Sequence, residues 1–405
     1  MWAGLIAAAA CSTVGTIACV ESSSQTYGSS GSATGASTGT TSSTFDKHAL
    51  LGAITATTRS ELTAFAADTE SLATATENLA GSPGSDNLAA AQAAWRTAMK
   101  RWQRLEVMQF GPAAGSSITG GKGLRDTIYS WPNTNRCAVD QQLVKSDHGD
   151  AQALAMKLVN VRGLGAIEHL LFHSESSNAC SAVNELNTSG TWDSVTGELP
   201  QRRANYSAAA AALLATSAAE LRDAWDPSVG NFAGELSTPG ATFGGDVAKA
   251  LDVVGYAFGY LDTKTKDLKL AIPAGLASCA NPTCPDALEL AESKFSKAAI
   301  RENLVAYQRL FHGGEPFDDA ALGFDDWLQA LGANELKAEL AASIAASLAA
   351  VDAIEEDDLS ESLALDPKSV EDVYFALKKT TDLFKSQFVT VLDLHLPNDA
   401  PTDND

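Results

Sequence analysis

The most informative segment of this chain reads Arg162-Gly163-Leu164-Gly165-Ala166-Ile167-Glu168-His169-Leu170-Leu171-Phe172-His173. Its apolar residues recur every three or four positions, which is the spacing of a helix with a buried face. Gly163 and Gly165 weaken the start of such a helix, so we expect it to begin near Leu164 or to approach a neighbouring backbone closely. The segment therefore predicts a helix that ends at His173.

The rest of the chain repeats this helical spacing and shows no convincing two-residue alternation after residue 45. Alanine-rich runs at residues 208–219 and 341–350 add helix propensity, because alanine loses no side-chain entropy in a helix. The predicted helices cover residues 46–80, 85–110, 136–145, 150–173, 200–225, 244–271, 286–311, 334–356 and 367–394. The sequence therefore predicts an all-α protein.

A break rich in Gly, Pro and Asp between residues 226 and 245 predicts a boundary between two helical bundles. The first bundle would span residues 46–230 and the second residues 240–398, followed by a disordered tail at residues 399–405. Each half contains a predicted helix that ends in Leu-Phe-His, at residues 171–173 and 310–312, which is compatible with an internal duplication.

The first residues of the chain are typical of an export signal. The apolar stretch over residues 5–18 is too short and interrupted for a transmembrane helix, and it ends in Thr16-Ile17-Ala18-Cys19. This ending resembles a bacterial lipobox, although Thr16 replaces the usual leucine and no Lys or Arg precedes it. We expect a signal peptide at residues 1–19, lipidation of Cys19 and a Ser/Gly/Thr-rich tether at residues 20–45. Cleavage near residue 19 without lipidation would instead give a secreted protein.

The formal net charge of the chain is -22. Such a charge repels the phosphates of nucleic acids and the headgroups of anionic lipids, so nucleic acid is not expected as a partner. An acidic surface tolerates or attracts cations, but the same charge also serves the ordinary solubility of an exported protein.

Four cysteines remain after Cys11 and Cys19 are assigned to the leader, and four allow three pairings. Cys279 and Cys284 flank the turn-like residues 280–283 and can close on each other. This leaves Cys137 and Cys180 to form a second bridge. A zinc site is the competing interpretation, but no second pair has zinc-like spacing. Disulfides fit an oxidising compartment.

The segment quoted first is similar to the signature helix of the imelysin family, which reads Gly-x-His-x-x-Glu followed by an aromatic residue and two leucines. Gly163 and Glu168 occupy the matching positions, but Gly165 stands where the family has its histidine. The resemblance extends over about residues 46–398. It includes Trp95, Trp102 and Glu106 of the second predicted helix, the Trp131-Pro132 turn, the Cys137–Asp140 segment and the closing Asp393-Leu394-His395-Leu396-Pro397.

The resemblance implies an all-α fold of two helical bundles with a cleft near the signature helix. It also implies a bacterial cell-envelope protein, since imelysins are classed as metallopeptidases and are often linked to iron uptake. In the family pattern, His and Glu three residues apart project from nearly the same helix face and together can hold a metal. Gly165 offers no donor atom, so Glu168 would act without its usual partner.

Other side chains are candidates for a metal site. His169 and His173 have the i, i+4 spacing of zinc-binding helices, although His169 can equally be a satisfied core residue and His173 a helix cap. Glu168 lies about 100° round the helix from His169. Glu106 and Glu168 are expected to face each other as a cation site or, alternatively, as structural Glu–Arg pairs held by arginines at positions 101, 104 or 162.

A ligand cleft is expected near Trp102, Trp131 and Arg162, with bundle core as the alternative role of the tryptophans. We therefore expect a non-enzymatic, lipid-anchored envelope protein that binds a divalent or iron cation, a metal complex or an envelope transport component. It would face the periplasm or the outside of the outer membrane. The alternatives are a metallopeptidase that uses Glu168 with a non-standard histidine, and a surface scaffold with a vestigial cleft.

Overall fold

Helices joined by turns and loops make up the parts of the chain that this computed structural model describes, residues 45–173, 176–314 and 321–395. No β-strand occurs in those parts, and the predicted all-α fold is confirmed. The predicted leader with Cys19, nearly all of the tether and the tail at residues 399–405 lie outside the described residues. Within these limits, no helix combines the length and the apolar character that crossing a bilayer requires.

The first half of the fold is built from long helices joined by short ones. Its α-helices are α1 (Lys47–Gly81), α2 (Ser85–Glu106), α3 (Leu124–Ile128), α4 (Arg136–Lys145), α5 (Ala151–Ala155), α6 (Gly163–Phe172), α7 (Glu185–Thr188) and α8 (Leu199–Trp225). Short 3-10 turns occupy Gly111–Ala113, Val159–Val161 and Asp193–Glu198. Asp46 caps α1 by accepting hydrogen bonds from the amides of His48 and Ala49. Helix α1 packs along α2 and α8, and α6 packs against both α2 and α8.

The second half continues with α9 (Phe232–Ser237), α10 (Val247–Tyr260), α11 (Ser296–His312), α12 (Phe324–Ala330), α13 (Asn334–Ala353), α14 (Leu359–Leu365), α15 (Pro367–Leu383) and α16 (Val389–Leu392). π-Helical segments follow α10 at Leu261–Ala271 and α15 at Phe384–Phe388, and 3-10 turns lie at Ala241–Phe243 and Pro285–Ala287. Helix α13 packs against both α11 and α15.

The two halves are joined by direct packing. Helix α2 contacts α11, and α1 contacts α9 and α10. Buried apolar side chains of both halves, from Leu50 to Leu394, form a common hydrophobic core. The described residues all belong to one compact unit. The predicted division into bundles at residues 46–230 and 240–398 stays a prediction.

Two predicted helices are shorter than the sequence suggested. The helix predicted at residues 150–173 is wrong as a continuous element, because the chain leaves α5 after residue 155 and becomes extended at Leu158 and Arg162 before α6. The helix predicted at residues 286–311 begins only at Ser296, since Leu290 and Lys294 adopt positive φ angles of 57° and 55°. The non-helical loop that results, residues 288–295, carries side chains to the site described below.

The two disulfides have the predicted pairing. Cys137 is bonded to Cys180, and Cys279 to Cys284. The first bridge ties the start of α4 to the segment that follows α6. It therefore fixes the surroundings of the signature helix, while the second closes a local turn.

Candidate functional site

Helix α6 is held at both ends by α2. The indole Nε1 of Trp95 donates a hydrogen bond to the Leu164 carbonyl at 3.0 Å, and Nε2 of Gln92 donates to the Leu171 carbonyl at 2.7 Å. At the start of α6, Gly163 has a φ of +75°, and a Cβ there would lie 2.4 Å from the Ile128 carbonyl oxygen. Of the two alternatives expected here, the close backbone approach is confirmed, and α6 begins at Gly163.

Gly165 stands at the position of the family's histidine, and its side-chain space is filled by another residue. A Cβ at this position would lie 2.5 Å from Oγ1 and 3.2 Å from Cβ of Thr134. Rotation of the threonine about χ1 exchanges Oγ1 and Cγ2 but does not move its Cβ. A side chain at position 165 therefore requires Thr134 or its loop to shift.

Glu168 is buried beside this contact. Its Oε1 accepts hydrogen bonds from the backbone amide and the hydroxyl of Ser293, at 3.0 and 2.7 Å. Burial raises the pKa of Glu168 to about 7, although the bonds from Ser293 and the charge of Arg136 act in the opposite direction. Near neutral pH the carboxyl can therefore both donate and accept a proton.

A cavity of about 770 Å³ opens in front of Gly165 and Glu168. Its walls are the loop at residues 131–137 and apolar side chains that include Leu268 and Ile272. This volume lies in the range of small-molecule sites in proteins. The carboxyl of Glu168 is thus placed at the wall of a cavity large enough for an organic ligand.

Of the three residues expected at the ligand cleft, Trp131 lines this cavity. Trp102 and Arg162 are not among the described residues that line it. Trp102 is buried against Phe65 in the core, with ring centroids 5.3 Å apart. Arg162 donates from Nη1 to the Ala155 carbonyl at 2.8 Å. Trp102 thus has the alternative role expected for it, bundle core, and Arg162 ties α5 to the start of α6.

Glu106 belongs to a separate buried charge network. Its carboxylate receives a hydrogen bond of 2.7 Å from Nη2 of Arg125, which also donates to the Trp131 carbonyl. Lys269 is fully buried nearby, with Nζ 4.0 Å from Glu106 and 3.0 Å from Glu289. The cations that face Glu106 are therefore provided by the chain itself, which matches the alternative of a structural ion pair, with Arg125 and Lys269 in place of the expected arginines.

The arginines expected to hold Glu106 and Glu168 pair elsewhere. Arg101 binds Glu61 at 3.1 Å and also pairs with Asp68, whereas Arg104 pairs with Glu302. The expectation is wrong because these arginines lie on other faces of α2. Arg125 and Lys269 hold Glu106, and Ser293 holds Glu168, and no local motif in the sequence marked these three residues.

His169 and His173 lie on one face of α6, as their spacing predicts, with ring centroids 4.8 Å apart. Glu292, from the loop at residues 288–295, lies between them. Its carboxylate oxygens are 2.9 and 3.0 Å from Nδ1 of His169, and Oε1 is 2.9 Å from Nδ1 of His173. One potential ligand atom from each of the three side chains falls within 4.8 Å of the others. These residues form what we call the His–Glu cluster.

The second nitrogen of each histidine also has a partner. Nε2 of His169 is 2.9 Å from Oδ1 of the buried Asp140, and Nε2 of His173 is 2.9 Å from the Ser177 carbonyl oxygen. The other oxygen of Asp140 accepts a hydrogen bond of 2.7 Å from the amide of Ala179, next to the first disulfide. Both rings are therefore fixed in orientation.

The carboxylates around His169 favour its charged form. Burial alone would lower the pKa of His169, but the bonds with Asp140 and Glu292 outweigh it and raise the pKa to about 9. Burial would raise the pKa of Glu292, yet the two histidines and Arg136 hold it well below its usual value. Asp140 and Glu292 therefore favour the protonated form of His169, which lies between the two carboxylates.

Asp140 and Glu292 were not recognised from the sequence as site residues. In the sequence, Asp140 belongs to the Cys137–Asp140 segment that is similar to the family, and this gives it no role at a site. Glu292 fell inside a predicted helix, and it is 123 residues from His169 along the chain. The i, i+4 histidines were the available signal for the location, but their partners come from distant segments.

Solved structures of two proteins have a fold similar to that of this chain. An imelysin-like protein from Psychrobacter arcticum superposes with a TM-score of 0.64 at 16% sequence identity, over 87% of this chain and 96% of that chain. A provisionally assigned iron-regulated protein A precursor from Parabacteroides distasonis gives a TM-score of 0.61 at 16% identity, over 84% and 95% of the two chains. At these identities the likeness concerns the fold.

Sequence comparison gives the family. The imelysin family model matches residues 59–386 of the chain. Iron-regulated protein A of Synechococcus elongatus is 34% identical over 90 residues, which are 22% of this chain. The match spans only 21% of the length of that relative.

Proposed function

The chain belongs to the imelysin family, and we propose that it is an exported binding protein that holds a carboxylate-bearing iron complex in the cavity beside Glu168. The observation that carries this proposal is the filled space at Gly165. Because Thr134 occupies the position of the signature histidine, the Gly-x-His-x-x-Glu metal pair is absent, while a ligand-sized cavity is kept.

The chemistry of the cavity wall supports an organic acid as part of the ligand. Arg136 supplies a positive charge at the wall, and Glu168, with a pKa of about 7, can donate a hydrogen bond to a carboxylate when it is protonated. Trp131 and the apolar side chains Leu268 and Ile272 offer a surface for the uncharged part. Ferric hydroxycarboxylate chelates combine these features.

The link to iron rests on the relatives. Iron-regulated protein A of Synechococcus elongatus and the provisional precursor from Parabacteroides distasonis are both named for regulation by iron. The similarity of this chain to them supports a role in iron acquisition, with envelope transport components as partners.

Export and lipid attachment are part of the same proposal. The lipobox-like Thr16-Ile17-Ala18-Cys19 and the two disulfides support an oxidising compartment outside the cytoplasm, with the protein anchored through Cys19. We expect radioactive palmitate to label the wild-type protein in bacterial cells and not a Cys19→Ala variant. Unlabelled wild-type protein in the culture medium would show that the chain is secreted without an anchor.

Calorimetric titration with ferric citrate tests the binding function. We expect micromolar binding to the wild type and a loss of at least tenfold in Ala287→Trp, which adds an indole to the cavity wall. Ala338→Trp, on the exposed surface of α13, is the matched control and should bind as the wild type does. Equal affinity of all three proteins, or no binding of ferric citrate, would refute the proposal.

Peptidase activity is the second candidate function. A carboxyl with a pKa of about 7 beside a cavity has the properties of a general base, and His169 follows Glu168 directly. Zinc-dependent hydrolysis of a peptide library by the wild type, lost in Glu168→Gln, would favour a peptidase. If neither hydrolysis nor ligand binding occurs, the scaffold function is favoured.

A further inference from the structure

We propose that the His–Glu cluster is a binding site for a divalent first-row transition metal ion, separate from the cavity beside Glu168. Its ligands would be Nδ1 of His169, Nδ1 of His173 and a carboxylate oxygen of Glu292. The proposal goes beyond the cavity function and does not depend on it. The metal site would thus lie one helical turn beyond the position at which the signature motif places its histidine.

The geometry of the three side chains needs little adjustment to hold an ion. Their ligand atoms already lie within 4.8 Å of one another. A tetrahedral ion with bonds of about 2.1 Å holds its ligands about 3.4 Å apart, so small rotations suffice. Both Nδ1 atoms point to the same carboxylate, which is the convergence that a metal site requires.

The outer partners of the histidines provide a second, independent observation. Metal-bound histidines commonly donate their other N–H to a carboxylate or a carbonyl, which fixes the ring and its tautomer. Here Asp140 accepts at Nε2 of His169 and the Ser177 carbonyl at Nε2 of His173, both at 2.9 Å. With the proton on Nε2 in each ring, Nδ1 is left with its lone pair for a metal.

The chemistry of the ligands selects the class of ion. Two imidazoles and a carboxylate suit Zn²⁺, Fe²⁺ or Cu²⁺, whereas Ca²⁺ and Mg²⁺ prefer oxygen ligands. Asp140 and Glu292 supply negative charge at the cluster, and Arg136, whose Nε lies 3.7 Å from Oε2 of Glu292, offsets part of it. The formal charge of the whole protein, -22, favours the approach of cations.

An ion can reach the cluster from solvent. His173 and Glu292 are partly exposed, at 17% and 16% of their side-chain surfaces. His173 also lines a second cavity, of about 460 Å³, formed mainly by α2, α6 and α8. Three protein ligands leave a coordination position open toward water or a small anion, as in catalytic rather than structural zinc sites.

A structural ion pair is the competing explanation of the same cluster, because a protonated His169 between Asp140 and Glu292 is stable without a metal. The two explanations differ in one property that can be measured. A metal site loses affinity when a ligand is removed, while an ion-pair cluster binds no metal before or after the change.

The test is a zinc titration of the full-length protein, with disulfides intact, in competition with a chromogenic chelator. We expect one tightly bound Zn²⁺ per chain, at least a tenfold loss in His173→Ala and in Glu292→Gln, and no competition by Ca²⁺. His48→Ala removes an exposed histidine of α1 and is the matched control. Thermal melting monitored by circular dichroism verifies that each variant is folded.

Three outcomes would overturn the proposal. The first is zinc affinity unchanged in both cluster variants, and the second is absence of zinc binding by the wild type at 100-fold excess over protein. Glu168→Gln separates this proposal from the cavity function, because it should leave zinc affinity unchanged. The third outcome, loss of zinc in Glu168→Gln alone, would place the metal at the signature carboxylate instead.

Discussion

The contact between Gly165 and Thr134 predicts a specific response to substitution. Gly165→Ala adds a Cβ that would lie 2.5 Å from Thr134 Oγ1, 3.1 Å from its Cγ2 and 3.2 Å from its Cβ. Such overpacking costs about 1–3 kcal/mol, while replacing a helical glycine by alanine returns about 1 kcal/mol. We therefore expect Gly165→Ala to lower the free energy of unfolding by roughly 0–2 kcal/mol, although alanine is normally the better helix former.

The coupling between the two positions is the decisive quantity. Thr134→Ala removes the contacts with Oγ1 and Cγ2 and leaves only the contact of 3.2 Å with Cβ, so the loss in the double variant should be smaller than the sum of the single losses. We expect a coupling free energy of at least about 1 kcal/mol in urea unfolding of the four proteins. If Gly165→Ala stabilises the protein by about 1 kcal/mol in both backgrounds, the space at position 165 is open and our explanation of the missing histidine fails.

Three further predictions concern buried charges and a disulfide. Burial raises the pKa of Glu168 to about 7 in the fold, against an ordinary value of 4.5, so its stabilising contribution is full below pH 4.5 and is lost as the pH rises through 7. Between pH 5 and 8 the wild type should lose about 2–3 kcal/mol relative to Glu168→Gln in urea unfolding. Lys269→Met leaves the carboxylate of Glu289 buried without its cation, and a loss of about 3–5 kcal/mol is expected in the same assay; a loss below 1 kcal/mol would contradict this. Replacing Cys137 and Cys180 by serine opens a loop closed over a separation of 43 residues, for which chain entropy predicts a loss of about 4 kcal/mol, measurable by calorimetry against the wild type with both disulfides intact.

The positions of most helices can be predicted from the local sequence, because helix propensity and the spacing of apolar residues largely determine them. Helix α4 occupies Arg136–Lys145 as predicted, and α8 begins within one residue of its predicted start at Pro200. The loop at residues 288–295 was predicted as helix because Glu, Leu and Ala are good helix formers. In the fold, its side chains are engaged elsewhere, with Ser293 at Glu168 and Glu292 at the histidines.

The candidate site was therefore predictable only in part. The i, i+4 spacing located His169 and His173 on one face, since helical geometry is local. Their partners could not be inferred, because Asp140 and Glu292 are 29 and 123 residues from His169 along the chain and meet it only through tertiary packing. The same limitation applies to Thr134, whose contact with position 165 follows from the path of a loop.

Anomalous X-ray diffraction from crystals grown with zinc, recorded above and below the zinc absorption edge, tests most directly where this protein binds metal. We predict an anomalous difference peak within bonding distance of His169, His173 and Glu292, and none beside Glu168. A peak at Glu168 with none at the His–Glu cluster would contradict the account.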